Sequence, residues 1–178
     1  MKLQDAIKAV APHATSDTTL QILTGVMIQD GYAVATDRYT AARVKITGTV
    51  TSMEYPTELD GTWISPAQIK AGVTDLDVNG QLILGNGARM DKAEAPGDYP
   101  TITRLFEAFE VAEEGTGFPS ILFNQAFAKK FDSRHFPKGY AHSMKFEFDK
   151  RGVTKPVRVT FPSHEDFEAL WVPIRETS

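Results

Sequence analysis

Asp75-x-Asp77-x-Asn79-Gly80 has the spacing of oxygen ligands that opens a calcium-binding loop, in which alternate side chains ring a hard cation. The twelfth position of such a loop should be a bidentate glutamate and is here Asn86, and strands rather than helices are predicted on either side. A turn therefore accounts for these residues. Gly85-Asn86-Gly87 is too short to cradle a phosphate and opens no helix, so it too is a turn. The histidines His13, His135, His142 and His164 are scattered, with no pair at metal-ligand spacing on one helix. No serine occupies a nucleophile elbow, and no carboxylate pair stands apart from the acidic residues around it. These types and spacings call for no catalytic group, no metal and no cofactor.

Charge is the remaining chemistry. The chain of 178 residues carries a net charge of −4, but unevenly: residues 1–49 sum to +1, 50–118 to −8, 119–158 to +6 and 159–178 to −3. The basic block holds Lys129, Lys130, Arg134, Lys138, Lys145, Lys150, Arg151, Lys155 and Arg158. An acidic protein with one basic surface can present a single phosphate-facing side; a solvated face is the plainer alternative. Without cysteine there is no disulfide framework, which fits a reducing compartment. No stretch has the length of a membrane span and the first residues are not a signal peptide, so a cytoplasmic protein is expected.

The elements that must carry these residues are three short helices and many strands. Leu3, Ala6, Ile7 and Val10 share one helical face, ended by Pro12. Ser65 caps a second helix, with Pro66 at its first position and Gly72 as its stop. Asn124 caps a third, with Phe127 and Phe131 one turn apart and Pro137 beyond. Strands are predicted over 20–28, 32–36, 39–46, 81–84, 88–92, 119–123, 144–149, 156–161 and 167–173, with a hairpin turn at Asn79-Gly80. A helix followed by about three strands thus occurs three times, over roughly 1–48, 60–105 and 119–178. The class is α+β, with antiparallel sheets and helices on one face.

Several segments, in order, carry a family likeness. Leu23-Thr24-Gly25 lies in an apolar strand, and Ala35-Thr36-Asp37-Arg38-Tyr39-Thr40-Ala41 forms a strand and polar turn. Trp63-Ile64-Ser65-Pro66 enters the second helix, and Ala95-Pro96-Gly97-Asp98-Tyr99-Pro100 follows the second set of strands. Leu170-Trp171-Val172-Pro173-Ile174-Arg175 closes the chain. Together they resemble the bacterial-type DNA sliding clamp, the β subunit that tethers a replicative polymerase. The resemblance implies a clamp-like domain of two units over 1–106, a linker over 107–118 and a lone half-domain over 119–178. With three units in place of six, the chain resembles a shortened member, such as a phage would encode, and a ring of twelve units would take four chains.

The resemblance further implies two surfaces and no enzymatic activity. Helices line the hole of a clamp, so Lys2, Lys8, Lys70, Lys129, Lys130, Arg134 and Lys138 are expected to face double-stranded DNA without reading its sequence. Clamps take a short peptide of a DNA polymerase or another partner into an apolar cleft between the Ala-Thr-Asp turn and the terminal strand. By position this assigns Thr36, Arg38, Tyr39, Thr40 and Ala41 to one wall, and Leu170, Val172, Pro173, Ile174 and Arg175 to the other. Arg38-Tyr39-Thr40 departs from the family's Gly-His-Arg pattern and Ala41 from its leucine, which implies an altered partner peptide; packing of Tyr39 and Ile174 into the core is the alternative. The implied function is a homo-oligomeric processivity factor that encircles DNA. A non-ring adaptor or decoy that binds clamp-binding peptides is the other reading.

Overall fold

The computed structural model describes residues 1–113, 123–137, 143–152 and 154–173. Helix α1 (Leu3–Val10) buries Leu3, Ala6, Ile7 and Val10 along one face, as their spacing requires. A 3₁₀ turn over Ala11–His13 follows, because Pro12 lacks the N–H that another α-helical turn would need. The strand predicted from residue 20 begins only at Val26. Asp17 accepts a hydrogen bond from the Thr19 N–H at 2.9 Å and caps a 3₁₀ stretch over Thr18–Thr24 instead. Strands β1 (Val26–Gln29), β2 (Tyr32–Thr36) and β3 (Thr40–Lys45) then form a meander.

The second group opens with β4 (Trp63–Ile64) and α2 (Pro66–Ala71). Ser65 and Gln68 form a reciprocal capping box, Pro66 takes the first turn, and Gly72 ends the helix in the left-handed conformation. Strands β5 (Val73–Leu76), β6 (Leu82–Leu84) and β7 (Arg89–Met90) make a small sheet. A short helix absent from the sequence expectation, α3 (Thr103–Glu107), follows. In the third group Asn124 does cap a helical segment, but Gln125–Phe131 is wound as a 3₁₀ helix. Its side chains are fixed by contacts to the β2–β3 turn (Phe127 to Tyr39, Lys130 to Asp37) and to Trp171, so tertiary packing outweighs good α-helical propensity. Strands β8 (Lys145–Glu147), β9 (Val157–Phe161) and β10 (His164–Trp171) complete it. Of the strand expected over 119–123, only Phe123 lies among the described residues.

The strands of the third group, expected as a lone half-domain, join those of the first. One antiparallel sheet runs β4-β1-β2-β3-β10-β9-β8, and its centre is the pairing of β3 with β10, where Arg43 faces Glu168 and Ala41 faces Leu170. Alternation sends Val26, Ile28, Ala33, Ala35, Ala42, Val44, Val159, Phe167, Ala169 and Trp171 to one side, against α1, the small sheet, Phe131 and Phe136. Met27, Val34, Ala41 and Leu170 point to the other, under Trp63, Ile102, Phe106 and Phe109. A sheet covered on both faces explains why its strands read as nearly continuous apolar runs.

Candidate functional site

The turn between β2 and β3 is built by its own side chains. Asp37 Oδ1 accepts from the N–H groups of Tyr39 (3.0 Å) and Thr40 (2.7 Å) and from the Thr40 hydroxyl (3.0 Å). Thr36 Oγ1 donates to the Thr40 carbonyl at 2.7 Å and accepts from the Arg38 N–H. Arg38 is thereby held in the left-handed region, with φ +78°. The chain just beyond β10 meets this turn, where Val172 N–H donates to the Tyr39 carbonyl at 2.9 Å. The two segments singled out in the sequence are thus hydrogen-bonded neighbours.

Between them lies a cleft of about 260 Å³. Thr36, Arg38, Thr40 and Ala41 contribute one side, and Leu170 and Val172 the next. Leu105, Ala108 and Phe109 close the floor from α3 and its continuation, and Asp149, Arg151, Lys155 and Pro156 supply the rim. These last two groups were missed in the sequence. The three-residue spacing of Phe106 and Phe109 in a segment taken for a domain end and linker was the signal available for the floor. For the rim it was the Asp149-x-x-Gly152 turn.

Tyr39 is not in the cleft. Its ring turns to the helical side and stacks on Phe127 at 5.5 Å, 58% exposed. It lies between Arg38 and Thr40, both of which line the cleft, and so points to the opposite side. Pro173 is half-buried and does not line the cleft. Ile174 and Arg175 lie outside the described residues.

At the rim, the fully buried Asp149 carboxylate grips Arg151. The guanidinium donates from Nε to Oδ1 at 2.8 Å and from Nη2 to Oδ2 at 2.5 Å, and the Arg151 N–H reaches Oδ1 at 2.9 Å. The bonds from Arg151 hold the Asp149 carboxyl below the usual carboxylate range despite its burial.

The basic side chains expected to face DNA fall into two sets. Lys2, Lys8, Lys70 and Lys129 are exposed. Lys8 stands at a second, apolar cavity of about 340 Å³ between α1, α2 and His135. Lys130 is a correction: its ammonium lies 2.5 Å from Asp37 Oδ2, with only 14% of its side chain exposed, so its charge is spent inside the fold. Arg134 is exposed, but its fork is closed on Asp132 at 2.9 and 2.8 Å. Lys138 lies outside the described residues. The block as a whole follows this pattern. Of its eight cations among the described residues six are ion-paired: Lys130, Arg134, Lys145 with Glu147, Lys150 with Glu110, Arg151, and Arg158 with Glu147. Arg158 also belongs to a ladder on the outer sheet face, since Glu168 lies 3.8 Å from it and 2.8 Å from Arg43.

The calcium-like segment is occupied by its own turn. Asp77 Oδ1 accepts from the N–H groups of Asn79 (2.8 Å) and Gln81 (2.9 Å), and Asp75 Oδ2 is taken by Thr51. Among the described residues no helix is long and apolar enough to cross a membrane.

The sequence matches no family model, and no curated protein matches it. Solved structures do. The DNA polymerase sliding clamp of Bacillus subtilis superposes with a TM-score of 0.64 at 14% identity, over 98% of this chain and 62% of its own. The DNA polymerase III β subunit of Thermotoga maritima gives 0.62 at 14% identity, over 98% and 64%. The sliding clamp of Bartonella birtlesii, bound to griselimycin, gives 0.64 at 12% identity, over 97% and 64%. The chain therefore has the sliding-clamp fold and spans less than two thirds of the length of these structures.

Proposed function

We propose that this chain is a sliding-clamp-like replication factor that docks peptides of a DNA polymerase or other partners in the cleft between the β2–β3 turn and β10. One observation supports this above the others: the turn and the strand, distant in sequence, share a partly apolar concavity in a fold of sliding-clamp type. No group in it is asked to do covalent chemistry. Apolar floor residues would anchor a few side chains, and those would supply most of the affinity. Several copies would close around duplex DNA, with Lys2, Lys8, Lys70 and Lys129 making water-bridged phosphate contacts that leave the protein free to slide.

The test is retention on DNA together with solution mass. Sedimentation equilibrium at several concentrations should give a stable oligomer. That oligomer, loaded on a nicked circular plasmid, should be released when the plasmid is cut. A strict monomer that dissociates equally from circle and line overturns encirclement.

A non-ring adaptor or decoy for clamp-binding peptides is the second reading, favoured by the ion pairing of six of the eight described cations between 119 and 158. Little positive charge is then left to hold DNA. This reading expects peptide binding by a monomer.

A further inference from the structure

We infer that the cleft selects a peptide whose apolar anchor is flanked by acidic side chains. The inference rests on the cleft being a peptide site. Its basis is an imbalance of charge around the apolar floor. Three cations, Arg38, Arg151 and Lys155, stand on the walls and rim against one carboxylate, Asp149. Asp149 cannot compensate more than one of them, because it is fully buried and both its oxygens are bonded to Arg151. Asp17 feels the charge of Arg38, but it forms no ion pair with it among the described residues and does not line the cleft. Lys155 has no ion pair among the described residues.

The arrangement thus leaves two cations without a direct ion pair beside Ala41, Leu105, Phe109, Leu170 and Val172: Arg38 feels Asp17, and Lys155 feels Asp149, only at longer range. An apolar peptide with basic flanks would meet like charge there. One with aspartate or glutamate beside its anchor would find Arg38 and Lys155 in the same cleft, while Arg151 is held by Asp149. At about 260 Å³ the cleft is smaller than the usual ~300–1,000 Å³ small-molecule pocket, which suits anchoring side chains rather than a whole cofactor. Specificity would come from the charged rim and affinity from the floor.

The experiment uses the full chain and two fluorescein-labelled octapeptides read by anisotropy. Both contain a leucine-leucine-phenylalanine core; one has two aspartates before it and the other two asparagines. At low salt the aspartate peptide should bind about fivefold tighter, the product of two partly exposed charge contacts. The ratio should fall below about twofold near 0.5 M salt, where screening is nearly complete beyond a few ångströms. It should also approach one in the Arg38→Gln/Lys155→Gln variant, whose melting should match the parent's. Equal affinity of the two peptides for the parent overturns the charge selection and leaves the cleft. Failure of both peptides to bind overturns the cleft itself and the selection with it.

Discussion

The Lys130 ammonium sits 2.5 Å from Asp37 Oδ2 and 3.1 Å from Thr40 Oγ1, and so ties the 3₁₀ segment of the third group to the turn that forms one wall of the cleft. Burial alone would raise the Asp37 carboxyl, but the bonds from Lys130 and Thr40 outweigh it and hold the group below its usual range. Replacing Lys130 strands a buried carboxylate. Lys130→Met should cost about 3 kcal/mol by urea denaturation, whereas exposed Lys129→Met should stay within about 0.5 kcal/mol. Equal effects of the two would mean that the pair does not hold the groups together.

His13 predicts an acid-sensitive core. It is fully buried, its ring edge-on to Phe131 at 5.1 Å and tilted against Phe167 at 6.2 Å, and among the described residues neither nitrogen has a hydrogen-bond partner. Burial, and then the charge of Lys130, push its pKa from 6.5 down to about 3. The unfolded chain takes up this proton near the higher value and the folded chain only near the lower. Stability from His13 is therefore complete above pH 6.5 and declines as pH falls toward 3, by up to about 1.4 kcal/mol per pH unit. His13→Leu, which is close in volume and cannot titrate, should flatten the slope measured in urea between pH 6 and pH 4. Parallel slopes for parent and variant would refute the assignment.

Gly25 predicts a steric limit. A Cβ there would come within 2.5 Å of both Trp63 Nε1 and the Ile64 carbonyl, at the junction of β1 and β4. Gly25→Ala should cost about 2 kcal/mol, as overpacking of a close contact does. Circular dichroism melts would check it, and an unchanged midpoint would show that the strands separate freely there.

For the cleft, Leu105 of the floor and Val172 of the wall remain exposed, so their loss should not unfold the chain. Leu105→Asp with Val172→Asp should weaken binding of the aspartate octapeptide more than about tenfold with little change in melting temperature. Undiminished anisotropy would move the peptide elsewhere.

On the helical side, joint reversal of Lys2, Lys8, Lys70 and Lys129 to glutamate should reduce the dependence of DNA affinity on salt. The slope of log affinity against log salt should fall by up to about 3.6, the value for four lost phosphate contacts. A slope that does not move would remove these lysines from the DNA-facing set.

Much of this could be read from local sequence where local physics decides. The face of α1, the capping box at Ser65 and the carboxylate-centred turn at Asp37 each depend on a few adjacent residues. What escaped depends on partners distant in sequence. Lys130 looks like a surface lysine until Asp37, 93 positions away, is brought beside it. Segment charge sums count Lys150 and Arg158 as basic surface, because nothing local reveals Glu110 and Glu147 as their partners. Tyr39 was assigned to the cleft by its place in the family's turn motif, whereas Arg38 and Thr40 on either side of it take the cleft face and send its ring to Phe127.

The pairing of β3 with β10 brings together Arg43 and Glu168, 125 positions apart, in the middle of the principal sheet. Most of the chain must be searched before this seam can close, and closure of so long a loop is entropically slow. Until it closes, β3 presents a bare row of amide donors and acceptors lined by alanine and valine, a template any stray strand can copy. Solubility during refolding should thus depend on dilution and time more than on final stability, and the yield of native protein should be set by a race between one distant pairing and intermolecular pairing at the same edge.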